Sequence, residues 1–287
     1  MPPAAAVHSA SAPPLWSHFN PATMIASLWR ARHLALQFAA RDLAARHKQT
    51  YLGWLWTLIT PLATLAIFVL AFGYILADPA AAAASGRVAG FAVQLFACLL
   101  LFGVFTECVA AAPRMIVSRR EFVTKVRFPL EVFPVSALLV ALVNLGIGMA
   151  VWAVGFAVLR REPPPWTAAF FPLVLLPLCL TTLGLTWFLA SLGVFIRDLG
   201  PAVALGVQLL FWGSPIVYEL SRVPERLRPI FNLNPLTPVM EQARAVLIAG
   251  RPPDAAWLAG ATAVSLAVAL LGYGFFSKSR RAFADVL

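Results

Sequence analysis

LGWLWTLITPLATLAIFVLAFGYIL, residues 52–76, is a continuous apolar run without a charged side chain. A helix needs about 20 consecutive apolar residues to cross the hydrocarbon core of a bilayer. The run lacks the alternation of a membrane barrel strand, and spanning helices tolerate an interior proline such as Pro61. The stretch therefore predicts a transmembrane α-helix.

Five further stretches have the same character, and only the first of them carries a charge, Glu107: residues 88–112, 132–159, 166–196, 199–218 and 255–277. The chain is 61% hydrophobic and 12% charged, whereas soluble domains are about a quarter charged. Its mean hydropathy is +0.82. We therefore predict an all-α membrane protein whose residues 51–278 form a domain of six transmembrane helices.

The basic residues predict the orientation of this domain. With six spans, one side holds five Lys and Arg before the first span, five in loop 113–131, one at 197–198 and three near the C-terminus. The other side holds eight, five of them in loop 219–254. The positive-inside rule places both termini in the cytoplasm. The net charge of +10 is then explained by topology and anionic lipid, and no nucleic-acid partner is expected.

The segments before the first span are expected to differ from each other. Residues 1–21 are rich in Pro, Ala and Ser and are expected to form a disordered cytoplasmic tail. Residues 22–50 mix apolar and basic side chains, which favours an amphipathic helix in the cytoplasmic membrane interface. Within it, Asp42 and Arg46 are one helical turn apart and can pair.

Two loops contain apolar residues in patterns that a solvated linker does not need. Loop 113–131 combines five basic residues with apolar ones, so it is either a docking segment or a solvated basic turn. Loop 219–254 contains six prolines and an amphipathic helix over 236–249. We expect short helices dipping back into the outer leaflet there, since irregular backbone at membrane depth needs a protein or cavity surface. Residues 279–287 form a cytoplasmic C-terminus.

Several chemistries have no support in the sequence. A Walker A loop needs a glycine before its lysine, and none of the three lysines has one: Lys48, Lys125 and Lys278. No cofactor or metal site is therefore expected on this chain, and the three cysteines lie in apolar spans as small core residues: Cys98, Cys108 and Cys179. The single acid within a span, Glu107, has two open interpretations. It pairs or snorkels as a structural group, or it belongs to a path or a helix interface.

Three motifs together resemble one family. Residues 41–56, RDLAARHKQTYLGWLW, followed by Pro61, resemble the opening R-D-L-K-x-R-Y-K-x-S-x-L-G-x-x-W of ABC-2 type permeases that export polysaccharide. His47 and Thr50 stand where that family usually has Tyr and Ser. The family's F-x-R-D-L and N-P-L-x-P segments are matched by residues 195–199 and 234–238.

The resemblance implies roles for named residues. It implies a gate helix at the substrate entry with Arg41, Asp42, Arg46, Lys48 and Tyr51. It implies a coupling helix over 118–128 that seats in an ATPase, with Ser118, Arg119, Arg120, Glu121, Phe122, Lys125 and Arg127. It implies periplasmic gate helices before the last span, with Asn234, Pro235, Glu241 and Arg244. An aromatic translocation path suits a glycan, although lipid-facing packing is an equal explanation for these rings: Trp54, Trp56, Phe68, Phe72, Phe211, Trp212 and Tyr218.

The resemblance also implies partners. The expected assembly is a homodimer in the bacterial inner membrane, with two separate ATP-binding-cassette subunits that carry ATP and magnesium. The substrate classes are lipid-linked capsular polysaccharide, O-antigen or teichoic-acid precursors, and capsular polysaccharide is our first expectation. A periplasmic or outer-membrane partner is left open. Two other functions remain as alternatives: a drug-exporting ABC-2 permease, and a membrane-embedded glycan-lipid transferase that would use Glu107, Glu219 and Glu241.

Overall fold

A computed structural model describes residues 21–48, 51–71, 85–124, 128–218, 220 and 223–287. Each regular element in these ranges is helical. Eleven α-helices follow one another there: α1 Pro21–Lys48, α2 Leu55–Leu70, α3 Ser85–Met115, α4 Arg120–Thr124, α5 Val132–Arg160, α6 Phe171–Phe195, α7 Leu199–Trp212, α8 Arg228–Asn232, α9 Leu236–Leu247, α10 Ala255–Ser279 and α11 Phe283–Val286. Three 3-10 segments lie between them: Val117–Arg119, Trp166–Phe170 and Arg280–Ala282.

Four helical segments are long and apolar enough to cross a membrane: Gly90–Met115, Val132–Arg160, Trp166–Phe195 and Ala255–Val286. The predicted first and fifth spans correspond to the shorter helices α2 and α7, of 16 and 14 residues. Residues 72–84, which would extend α2, lie outside the described residues. Four of the six predicted spans are thus matched by helices of spanning length and composition, and the count of six stays a prediction.

Helix α3 lies at the centre of the bundle, in contact with α2, α5, α6 and α7. Helices α6 and α10 pack most extensively, and they approach at two glycines. A Cβ atom on Gly272 would stand 2.0 Å from the carbonyl oxygen of Gly184. Small residues permit such close approach between membrane helices, so this crossing requires glycine.

The two ends of the bundle collect different segments. At one end, residues from α1, from the chain after α3 and from α11 share a single core, including Met24, Ile116 and Phe283. At the other end, Thr167 donates a hydrogen bond of 2.6 Å to the carbonyl of Val246 in α9. The N-terminal helix, loop 113–131 and the C-terminus therefore share one end, as the predicted topology requires.

Helix α1 confirms the helix predicted over 22–50 as far as Lys48, and most of its fully buried positions are alanines. Its large apolar side chains divide between the two sides, because Leu28 and Phe38 pack partly buried against the core at this end. Met24, Ala31, Ala35 and Ala39 are buried, whereas the large apolar residues Ile25, Trp29 and Leu36 are exposed. Because alanine allows close packing, α1 lies tightly along α5. Its location in the membrane interface stays a prediction.

The amphipathic helix predicted over 236–249 is confirmed as α9. All six residues of its predicted apolar face are buried: Leu236, Val239, Met240, Ala243, Val246 and Leu247. The helix predicted within loop 113–131 is observed as the 3-10 segment Val117–Arg119 followed by α4, and residues 125–127 lie outside the described part. The predicted tail, 1–21, also lies outside it except for its last residue.

Candidate functional site

The last turn of α1 is joined to the membrane helices through one carboxylate. Arg46 forms an ion pair with Glu107 of α3. Asn144 of α5 donates from Nδ2 to both Glu107 oxygens, at 3.0 and 3.3 Å. A carboxylate within an apolar helix is unfavourable unless it is paired. Both predicted roles of Glu107 therefore meet here, because it is paired and it also lies where three helices join.

The pairing expected within α1, between Asp42 and Arg46, is not the one observed. Asp42 pairs instead with Arg119 and with its neighbour Arg41. The two residues contact different parts of the chain, because an exposed pair within a helix contributes only about 0.5 kcal/mol. Arg46 instead pairs with the partly buried Glu107 of α3, and Asp42 with the partly buried Arg119 of the following segment.

A cleft of about 440 Å³ opens beside this ion pair, between the end of α1 and helices α2, α3 and α5. Its lining combines one guanidinium, one amide, hydroxyl groups, an indole and apolar side chains: Arg46, Asn144, Thr57, Thr60, Thr64, Trp56, Pro61, Phe96, Leu99 and Leu100. The structure thus brings together Arg46, predicted for the gate, and Trp56, predicted for the path. Asn144 was not among the residues to which the sequence analysis gave a role.

Three other predicted gate residues are not among the described lining residues of this cleft: Arg41, Asp42 and Tyr51. The guanidinium of Arg41 lies 4.2 Å from the ring centroid of Phe38. Tyr51 is fully exposed in the turn before α2, where Gly53 has a φ of +49°. Glycine adopts this left-handed conformation without the strain that a Cβ atom would cause. The side chain of Lys48 lies outside the described part of the chain.

The predicted coupling segment is attached to α1 by a second ion pair. Arg119 Nη2 donates to Asp42 Oδ2 at 2.8 Å, and each side chain is 25% exposed. The Arg119 guanidinium also lies 4.9 Å from the ring centroid of Phe133. Next to it, Phe122 is in edge or tilted contact with the rings of Phe38, Phe128 and Phe133 at 5.1 to 5.6 Å.

These contacts divide the predicted coupling residues into two sets. Arg119 and Phe122 hold the segment against α1 and α5, whereas Ser118, Arg120 and Glu121 are exposed. Lys125 and Arg127 lie outside the described residues. Among the described residues of this segment, the exposed set is therefore accessible to another protein.

A third ion pair at this end was not predicted. Arg280 Nη1 donates to Glu131 Oε2 at 2.8 Å, and the Glu131 side chain is 9% exposed. The indole of Trp187 also donates to the Glu131 carbonyl at 3.3 Å. The two charged partners are 149 residues apart, so no spacing in a single sequence could have indicated this pair.

The predicted path aromatics do not form one cluster in the described residues. Trp56 lines the cleft. Phe211 contacts Phe102 at 5.4 Å and Trp212 at 5.3 Å, on the side of α3 that faces α7. The Tyr218 hydroxyl donates to the Trp212 carbonyl at 2.7 Å. Of the remaining three, Trp54 is exposed, Phe68 packs half-buried against the core, and Phe72 lies outside the described residues.

At the opposite end, two predicted gate residues hold the chain that follows α7. Asn234 donates to the Gly213 carbonyl at 3.0 Å and to the Ser214 hydroxyl at 2.7 Å. It also accepts a hydrogen bond from the backbone N–H of Leu236. Pro235, the residue before α9, is exposed. Asn234 thus links the end of α7 to the start of α9.

Arg244 holds the same segment from within α9, and the residue is 8% exposed. Its Nη1 donates to Glu241 Oε1 at 2.6 Å. Its Nη2 donates to the backbone carbonyls of three residues: Pro215, Ile216 and Tyr218. The planar guanidinium can serve several acceptors at once, so it satisfies carbonyls that no helix uses.

Comparison with known proteins identifies the family of the chain. The model of the ABC-2 type transporter family matches residues 34–248. The chain is similar to the O-antigen export system permease protein RfbA of Myxococcus xanthus, with 30% identity over 91% of this chain and 98% of that protein. It is also similar to the protein of the same name from Klebsiella pneumoniae, with 23% identity over 86% and 92% of the two chains. The chain therefore belongs to the ABC-2 type transporter family.

Proposed function

We propose that this chain is the permease subunit of an ATP-driven exporter that moves lipid-linked O-antigen polysaccharide across the bacterial inner membrane. The observation that carries the proposal is the 30% identity over 98% of the Myxococcus xanthus O-antigen permease. Both relatives described above are named for O-antigen, which favours that substrate over the capsular polysaccharide expected from the sequence. The proposed role is transport and not catalysis.

The proposed energy source is a separate ATP-binding subunit. We place its docking surface on the exposed face of residues 117–121, because Arg120 and Glu121 are exposed there while Arg119 and Phe122 hold the segment to the bundle. A coupling segment must be attached firmly to the helices that it moves. The ion pair to Asp42 supplies that attachment.

We propose a homodimer with two such ATP-binding subunits and with both termini in the cytoplasm. The predicted topology and the shared end of α1, loop 113–131 and α11 support this orientation. Helices α2 and α7 each bury a single large apolar residue and expose several others. Lipid or the second protomer can pack against the exposed apolar residues of these two helices: Leu58, Leu62, Ile67, Leu205, Leu209 and Trp212.

The transferase alternative loses support from the contacts of its proposed acids. Glu107 is held by Arg46 and Asn144, and Glu241 is paired with Arg244. A general acid or base must reach the substrate proton it transfers. Glu107 is instead held in a contact between helices, and Glu241 in an ion pair within α9. Glu219 lies outside the described residues.

Complementation tests the proposal. The gene is deleted in its host and restored on a plasmid, and surface O-antigen is measured by gel electrophoresis and antibody binding. We expect loss of surface polysaccharide with accumulation of the lipid-linked form inside the cell. The restored chain should copurify with an ATPase that it activates. Normal surface polysaccharide after deletion would refute the proposed function, and turnover of glycan by the purified chain alone would favour the transferase.

A further inference from the structure

The cleft beside Arg46 is unusually polar for a site between apolar helices. Its wall on α2 carries Thr57, Thr60 and Thr64. Helical positions three and four residues apart lie on one face, so the three hydroxyl groups follow one side of the cleft. Thr64 donates to the backbone carbonyl of Thr60 at 2.8 Å, which leaves the lone pairs of its oxygen as acceptors.

The facing wall supplies hydrogen-bond donors. Arg46 and Asn144 both donate to Glu107. A guanidinium has five N–H donors, and a side-chain amide has two donors and a carbonyl oxygen. The Arg46 side chain is 50% exposed, so part of its donor capacity is open to the cleft. Donors and acceptors are thus present on opposite sides of one small space.

The charge of the cleft indicates what kind of ligand suits it. The positive charge of Arg46 is balanced by Glu107 in direct contact, and Arg46 is the one charged side chain among the described residues of the lining. A phosphate at this place would gain from Arg46 and be repelled by Glu107. A neutral ligand with many hydroxyl groups would use the donors and acceptors without that repulsion.

The size and the aromatic wall fit the same ligand. Clefts that bind small molecules have volumes of roughly 300 to 1,000 Å³, and this one has about 440 Å³. The ring of Trp56 forms part of its wall, and the residue is 46% exposed. Aromatic rings offer a flat apolar face with a polar N–H at the edge, which matches the apolar C–H face and the hydroxyl rim of a sugar ring.

We propose that this cleft binds a neutral sugar residue of the transported glycan, by stacking on Trp56 and by hydrogen bonds to Thr60, Asn144 and Arg46. The inference rests on the proposed function, because it names the part of that substrate which the site recognises. Glu107 is a positioning residue in it. It orients Arg46 and Asn144 and is not among the residues that line the cleft.

Photo-crosslinking in living cells tests the inference with the natural substrate. Leu99, which lines the cleft, is replaced by p-benzoylphenylalanine in cells that produce the polysaccharide. After irradiation the chain is purified and its covalently attached sugar is measured by mass spectrometry. The matched control places the same photoreactive residue at Val154, an exposed position of α5. We expect a sugar-bearing adduct at Leu99 and at most a trace at Val154.

Substitution of the aromatic wall sharpens the test. Trp56→Ala in the Leu99 crosslinking background should lower the adduct yield about tenfold, which corresponds to ~1.4 kcal/mol of lost binding. Trp56→Phe keeps a flat ring and should retain most of the yield. Equal yields for Trp56→Ala and the parent, at equal amounts of purified chain, would overturn the proposed stacking and with it the site.

The remaining outcomes separate this inference from the proposed function. An adduct that carries lipid phosphate without sugar, or one that forms equally in cells that make the carrier lipid but no glycan, would overturn the sugar assignment in favour of an anionic headgroup. If the Leu99 variant still exports glycan but forms no sugar adduct, the proposed sugar binding in the cleft is wrong and the proposed function is unaffected. Failure of the unmodified chain to restore export would overturn the proposed function itself.

Discussion

The ion pair between Asp42 and Arg119 should be a measurable link between the N-terminal helix and the segment after α3. Its two charged atoms are 2.8 Å apart, and each side chain is 25% exposed. Hydrogen bonds to charged groups contribute about 1.5 to 3 kcal/mol. Because a quarter of each side chain still meets solvent, we expect a value near the lower limit, about 1.5 kcal/mol.

A double-mutant cycle isolates this contribution. Asp42→Asn, Arg119→Gln and the double variant are purified in a mild detergent, and their free energies of unfolding are measured by titration with sodium dodecyl sulfate. We expect each single variant to lose about 1.5 to 2 kcal/mol and the double variant to lose little more than either one, since the second substitution removes no further pair. Arg226→Gln, at an exposed position in the loop before α8, is the matched control and should be close to neutral.

Additive losses in the double-mutant cycle would contradict the ion pair between Asp42 and Arg119. Independent sites add to within about 0.3 to 0.5 kcal/mol. If the losses of the two single variants add within that range, Asp42 and Arg119 do not interact in the folded chain. The attachment of the coupling segment to α1 would then depend on the aromatic contacts of Phe122, and the reasoning from the ion pair would be refuted.

Three other predictions concern separate parts of the chain. Arg120→Glu, on the exposed face of the predicted coupling segment, should reduce copurification of the ATPase at least fivefold. Its free energy of unfolding should change less than that of the Arg119→Gln variant. Unchanged copurification would contradict the proposed docking surface. Gly272→Ala should lower the free energy of unfolding by about 1 to 3 kcal/mol, because the new Cβ atom would stand 2.0 Å from the Gly184 carbonyl, whereas Gly260→Ala meets nothing within 4 Å and should be tolerated. Arg244→Lys should lose export as measured by surface polysaccharide, because an ammonium lacks the planar set of donors that contacts these carbonyls. Retained export would show that the guanidinium is dispensable.

The features that sequence predicted well depend on short-range patterns. Helix α9 is an example, because its six apolar positions recur at the spacing of one helical face and all six are buried. The four long membrane helices are another, because length and hydropathy alone distinguish them. These signals need no knowledge of a partner segment.

The features that sequence did not predict depend on which segments meet. The sequence did not indicate which side of α1 packs against the bundle, and in the fold Ala31 and Ala35 are buried whereas Trp29 is exposed. This arrangement reflects the short distance between α1 and α5, which only the folded chain defines. The pair between Glu131 and Arg280 joins residues that are 149 positions apart. Spacing rules for charged pairs apply within one helix or hairpin and cannot predict such a contact.

The two ion pairs of α1 gain their meaning from their position on one helix. Asp42 holds the coupling segment through Arg119, and Arg46 holds the carboxylate at the edge of the cleft. Four residues of α-helix separate them, which is about 6 Å along the axis. A continuous helix keeps the distance between two such positions nearly fixed, so a displacement of the coupling segment that carries Asp42 with it must also carry Arg46. A movement of the segment proposed to meet the ATPase should therefore change the contact of Arg46 with Glu107. The polar wall of the cleft would change with that contact.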